Sequence, residues 1–399
     1  MMGLVIGSLT SMIMYRNYVV MPSKTAIEKL LNPIKLKDSS ILSSLLDPTT
    51  VASVVVSITG SIIELVFLLV LSIAFEYLAP RLTEWEMHKT QREFDDNLAI
   101  KMFLFNFFNY FSWIFYTAFI KGRFVGRPGD YNNYWFGTRK ESCTFSGCQF
   151  DVMVQLTTTF VGANNLRQLL DWLWLKIRSK FSGKKSKLDN VEGCRIRKEF
   201  KLAEKEDLTW KYIYLVLQYG FVTLFVAASP ILPVLAVVSN WVAIRLEAQN
   251  YVCNARRPVA HRRKDIGIWF NILSFLSVTA IITNASLVAF TSDFVERTYH
   301  AYNINSIGEN YTSWRLTLSP KDYDEEPCYY SEFRDDDGNY TLTHWMILSL
   351  KLVFFVTYIL FVLVVRRCIL SVIPDVPRSL QIKIKREQYL LQQAHSNKA

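Results

Sequence analysis

Eight apolar stretches, each close to the length that crosses a hydrocarbon core of about 30 Å, restrict this chain to one kind of architecture, an all-α polytopic membrane protein. They cover residues 1–21, 51–78, 102–120, 150–175, 212–228, 231–252, 266–290 and 345–365. The first is the weakest, since Arg16 interrupts it. Together they predict one transmembrane domain over 1–371 and a cytoplasmic tail over 372–399, with a helix at 379–393 along the inner surface. The Lys-rich stretch 176–207 is predicted to lie along the headgroups.

The loops set the orientation. With residue 1 in the cytoplasm, the inner loops 79–100, 176–207, 253–265 and 366–399 hold 26 Lys/Arg against 14 Asp/Glu. The outer loops 21–50, 121–148 and 292–343 hold 13 against 16. Basic residues concentrate on the cytoplasmic side of membrane proteins, so both termini are expected there. The net charge of +10 then faces anionic lipid, and nothing in the chain frames a nucleic-acid surface. The sequons at Asn310 and Asn339 fall in the acidic outer loop and are expected to carry glycans. A third, at Asn284, lies inside a span and is expected to be silent. Cys143, Cys148 and Cys328 are placed outside, an odd number that predicts one disulfide and one remaining thiol; three free thiols are the alternative.

Charged residues inside the spans are informative because charge at bilayer depth is costly and normally faces protein or water. Glu76, Asp151 and Lys211 stand near span ends and are expected to reach the interface; Glu64, Asp171 and Glu247 are deeper. Ser53, Ser57, Ser61 and Glu64 share one helical face, as do Asn106, Asn109 and Trp113 in the next span and Gln155, Thr159 and Gly162 in the one after. Three polar stripes on successive helices predict a hydrophilic groove for ions or lipid headgroups. The alternative is polar glue between helices. There is no HExxH, Walker A, GxSxG or CxxC motif, and the five histidines stand apart, so no enzyme is expected.

Several blocks resemble the anoctamins: Leu82-Thr-Glu-Trp-Glu86, the run from Phe115-Tyr116 through Lys121-Gly-Arg-Phe-Val-Gly-Arg-Pro-Gly-Asp-Tyr131, Gln218-Tyr-Gly-Phe-Val-Thr-Leu-Phe-Val-Ala-Ala228, Glu247-Ala-Gln249, Arg256-Arg-Pro-Val-Ala260 and Lys264-Asp-Ile-Gly-Ile-Trp269. The resemblance implies a dimeric, calcium-activated anion (chloride) channel, a phospholipid scramblase, or both, in the plasma membrane rather than the endoplasmic reticulum. It places the eight stretches on helices three to ten of the family's ten, as a fragment of a longer protein or a shortened paralogue. It also implies a hinge at Gly162 and basic pore positions at Arg16 and Lys121, with Asn106 in place of a pore lysine and Ser57, Ser61, Glu64 and Asn109 along the groove. At the family's calcium ligands this chain has Asp171, Lys211, Tyr214, Ala243 and Glu247, of which only Asp171 and Glu247 are carboxylates. Calcium takes six to eight oxygens, so the site is expected to be degenerate. Either Lys211 stands in for the metal as a tethered cation, or the site has relaxed and Lys211 reaches for the surface. The implied function is anoctamin-like transport with weak or lost direct calcium gating. The alternatives are a transport-inactive membrane tether and, if 1–18 were a cleaved signal, a seven-helix receptor.

Overall fold

The structure, a computed structural model, describes residues 48–128, 130–131, 143, 148–166, 208–249, 251–252, 265–302, 310–319, 328–335, 339–373 and 376–396, with 7, 172–173 and 177 besides. Helix α1 (Pro48–Trp85) turns back into α2 (Gln91–Phe119) within five residues. The expected inner loop 79–100 is therefore mostly helix. Main-chain hydrogen bonding does not stop where the apolar stretch stops, and Thr90 begins α2 by accepting a hydrogen bond from the Glu93 backbone N–H at 3.2 Å. A small hairpin follows, β1 (Gly126–Arg127) with β2 (Asp130–Tyr131).

Helix α3 (Cys148–Phe160) runs into a π-helical turn, Val161–Leu166. Helices α4 (Leu208–Leu224) and α5 (Leu232–Gln249) form an antiparallel hairpin. Helix α6 (Ile268–Ser286) also ends in a π turn, Leu287–Thr291. Beyond it, α7 (Phe294–Tyr302), α8 (Tyr311–Arg315) and the antiparallel pair β3 (Leu316–Leu318) and β4 (Tyr329–Ser331) make a small lobe. The described residues of the segment read as an acidic loop thus include helix and strand. The long helix α9 (Leu342–Val372) and the exposed helix α10 (Arg378–Ser396) complete the described residues.

Among the described residues four helices are long and apolar enough to span a membrane: Thr59–Trp85 within α1, Gln91–Phe119, Ile268–Thr291 and Leu342–Val372. Of the expected span 1–21 only residue 7 is described, and the one at 150–175 is described without interruption up to 166. The remaining two, α4 and α5, have 17 and 18 residues, the short limit for crossing a bilayer.

Helices α1, α2 and α3 pack mutually, and α4 packs against α2, α5 and α6. Their shared centre is aromatic: Phe105, Phe111, Phe160, Phe221 and Phe225 are all fully buried. Phe75 stacks on Phe105 at 3.9 Å, and Phe111 meets Phe221 at 4.8 Å. Lipid solvates a phenyl ring about as well as a protein core does, so close packing and polar pairs, not hydrophobic transfer, hold such helices together.

Asn284 is one such polar link. Buried, it donates to the Thr223 carbonyl at 2.7 Å and the Ala280 carbonyl at 2.8 Å, and accepts from the Ala227 N–H at 3.1 Å. The turn of the α4–α5 hairpin is thereby fixed near the lobe end of α6. At the opposite end Tyr212 stacks on Trp269 at 5.2 Å.

Candidate functional site: a closed polar seam and an ion pair at its far end

The polar stripes meet where α1, α2 and α3 touch. Ser61 and Glu64 on α1 are buried, and the Gln155 amide of α3 donates to both Glu64 carboxylate oxygens, at 2.8 and 3.1 Å. Further along, Ser72 donates to Asn106 Oδ1 at 2.9 Å, and Asn109 donates to the Leu68 carbonyl at 3.0 Å. Asn109 Oδ1 and Gln155 Oε1 are buried acceptors with no hydrogen bond. The seam is therefore rich in acceptors, holds the Glu64 carboxyl, and is closed. Buried acceptors of this kind ordinarily bind water or a cationic or hydroxylic guest.

Gly162 helps to close it. A Cβ there would lie 2.0 Å from Leu65 Cδ2, so only glycine lets α1 press this tightly on the π turn. Such turns distort the helical ladder and recur at functional sites.

At the lobe end, Lys121 and Asp151 are both buried and form an ion pair at 2.6 Å. This corrects the expectation that Asp151 reaches for the interface. Each of these two buried charges is thereby balanced by the other. The backbone around it is constrained: Gly122 has φ +77, and a Cβ would sit 2.5 Å from Cys143 Sγ. Cys143 and Cys148 form a disulfide, and Cys328 is a free thiol.

At the other end of the α4–α5 hairpin, Lys211 at the start of α4 pairs with Glu247 near the end of α5. Two helices of nearly equal length, folded back on each other, bring these residues together. The Lys211 ammonium also lies over the Tyr251 ring, 5.2 Å from its centroid. Tyr214 and Ala243 are half-buried nearby in sequence. Within the ligand set that the resemblance implies, the described carboxylate is Glu247, and an ammonium holds it. Among the described residues no three His, Cys, Asp or Glu side chains are grouped to hold a metal ion. Arg16 and Asp171, and the side chain of Ser57, lie outside the described residues.

One network was not foreseen. Glu296 on α7 is buried, accepts from Lys351 of α9 at 2.7 Å and from the Tyr311 hydroxyl at 3.2 Å, and lies 3.3 Å from Arg315. Arg315 also pairs with Asp293 at 2.7 Å. Lys351 stands within the apolar stretch 345–365. Its partner stood in a loop, where sequence spacing carries no register. The sequon residues Asn310 and Asn339 are both exposed on or beside the lobe.

Residues 1–387 match the family described as "Anoctamin: Calcium-activated chloride channel". The chain is similar to mouse anoctamin-7, 39% identical over 400 residues that cover 99% of this chain and 44% of that protein. Human anoctamin-7 is 42% identical over 86% of this chain and 38% of its own length. Human anoctamin-1 is 34% identical, with 85% and 37% covered. The chain spans less than half the length of these relatives.

Proposed function

The chain belongs to the anoctamin family, and on that premise we propose that it is a membrane transport protein passing phospholipid headgroups, and small anions such as chloride, along the seam between α1, α2 and α3. The buried Glu64–Gln155 pair carries this reading. A carboxylate at bilayer depth costs a few kcal/mol, and its polar neighbours Ser61, Asn106 and Asn109 continue the same line. A buried acid brings no positive charge to hold chloride, whereas its oxygens can accept from the ammonium or hydroxyl of a headgroup, so lipid flipping is the favoured activity. Direct calcium gating is weak or lost, because the Lys211 ammonium already neutralises Glu247. The apolar surface of α9, where Ile347 is the one buried residue of the helix, suits a homodimer contact in a plasma-membrane protein with both termini cytoplasmic.

The test is reconstitution of the full chain into liposomes, reading lipid flipping and chloride flux with calcium and with chelator. Flipping that persists in chelator is expected, with smaller chloride flux. Activity in neither assay would replace this reading with the transport-inactive tether, which the closed, fully packed seam favours.

A further inference from the structure

At the lobe end a cavity of about 910 Å³ opens between the end of α2, the π turn of α6, α7 and α9. It is separate from the seam and from the Lys211–Glu247 pair. Four cations line it, Arg123, Arg297, Arg315 and Lys351, against two carboxylates, Asp293 and Glu296. The carboxylates are already committed, since Arg315 bridges both and Lys351 sits on Glu296. Among the described residues neither Arg123 nor Arg297 is paired with a carboxylate, and both are exposed.

Each of these two guanidiniums is held in place by its face. Arg123 lies over the Phe290 ring, 5.8 Å from the centroid, and donates to Thr291 Oγ1 at 3.3 Å. Arg297 lies over the Tyr311 ring at 4.7 Å. A guanidinium stacked on a ring keeps its edge N–H groups for another acceptor, in the planar fork that matches a tetrahedral oxyanion. The hydroxyl of Ser331 adds a donor to the same wall, while that of Ser292 already donates to the Val288 carbonyl at 2.7 Å. The volume falls in the range of organic ligand sites and far exceeds what one halide ion fills. Phe290 and Phe294 give the wall an apolar side as well.

We propose that this vestibule binds a phosphate group, carried by a phospholipid of the adjacent leaflet or supplied as free phosphate, through Arg123 and Arg297. The proposal goes beyond the transport reading and does not depend on whether the seam conducts, because its test reads binding alone.

The full chain is purified in a phosphorus-free detergent and titrated with inorganic phosphate by calorimetry, while native mass spectrometry counts retained phospholipid. Saturable phosphate binding that weakens about tenfold or more in Arg123→Gln/Arg297→Gln supports the site and names free phosphate as its ligand. Retained phospholipid that is lost in the same variant supports the site with lipid as the source. Should the double variant not fold, phosphate or a soluble short-chain phospholipid is expected to shield Arg123 and Arg297 of the unsubstituted chain from phenylglyoxal, read peptide by peptide. Reaction of both arginines at undiminished rate, or binding and lipid retention unchanged by the substitutions, overturns the proposal.

Discussion

Glu64 and Lys211 show how single side chains set the chemistry of each end of the molecule. The Glu64 carboxylate takes two contacts from one amide, and a hydrogen bond to a charged group contributes about 1.5–3 kcal/mol. Gln155→Leu is therefore expected to lower stability by about 1–3 kcal/mol, seen as a lower midpoint of thermal unfolding in detergent. An unchanged midpoint would show that the pair contributes nothing. Glu64→Gln removes the acid while keeping the shape, and is expected to raise chloride flux relative to lipid flipping. At Lys211 the argument runs through repulsion. Lys211→Glu sets a second carboxylate beside Glu247, and two such acids disfavour their shared ionisation until a cation joins them. Calcium should then raise the unfolding midpoint of the variant by binding linkage and leave the unsubstituted chain unmoved. If calcium shifts neither protein, the tethered-cation account of Lys211 fails and the relaxed-site account stands.

Between elements, fit decides more than charge. The 2.0 Å approach of a Cβ at position 162 to Leu65 Cδ2 means that Gly162→Ala must displace the buried Leu65 side chain, or α1 with it. Overpacking of this kind costs about 1–3 kcal/mol. Adding Leu65→Ala should recover part of it, a coupling that a double-mutant cycle measures; additive losses would mean that the two positions do not meet. The sequence made the polar stripes visible, because helical spacing puts Ser61 with Glu64 and Asn106 with Asn109. It could not show that the stripes face one another across a closed contact, because closure depends on Leu65 entering the space a side chain at 162 would fill. The lobe contact is electrostatic instead. Burial alone would raise the Glu296 carboxyl, but Lys351 and Arg315 outweigh it and hold it below its ordinary value. A depressed carboxyl stabilises the fold above its unfolded pKa, near 4.5, and that stability is lost as pH falls through the still lower folded value. The lobe should stay docked on α9 at pH 5 and loosen only below about pH 4. Hydrogen exchange in α7 reports this, and Glu296→Gln should show the loosened pattern at neutral pH.

At the scale of the molecule, apolar length located four membrane-length helices among the described residues but not where they end. Residue 85 is reached because α1 carries on past Pro80, which has no N–H to donate, through Arg81-Leu82-Thr83, residues that hydropathy assigns to a loop. The lobe stayed hidden for a related reason. Its hold on the bundle rests on Glu296, Arg315 and Lys351, residues far apart in sequence and joined only by the fold. The charge difference between loops predicts which side the lobe occupies, and three sequons make that testable. Asn310 and Asn339 are exposed beside the lobe, whereas all three polar contacts of Asn284 are made to backbone within the bundle. Glycan transfer occurs only on the side facing away from the cytoplasm and needs an accessible asparagine. Expressed in cells, the chain should therefore lose mass on glycosidase treatment, and Asn310→Gln/Asn339→Gln should abolish that loss. Asn284→Gln should keep the glycans yet lower the yield of folded protein, since the longer side chain cannot repeat the three contacts that fix the α4–α5 turn to α6. A chain bearing no glycan on either lobe asparagine, with a glycan acceptor engineered into α10 modified instead, would turn the whole bundle over in the membrane. It would then put Lys211 and Glu247 on the outer side, where cytoplasmic calcium cannot reach them.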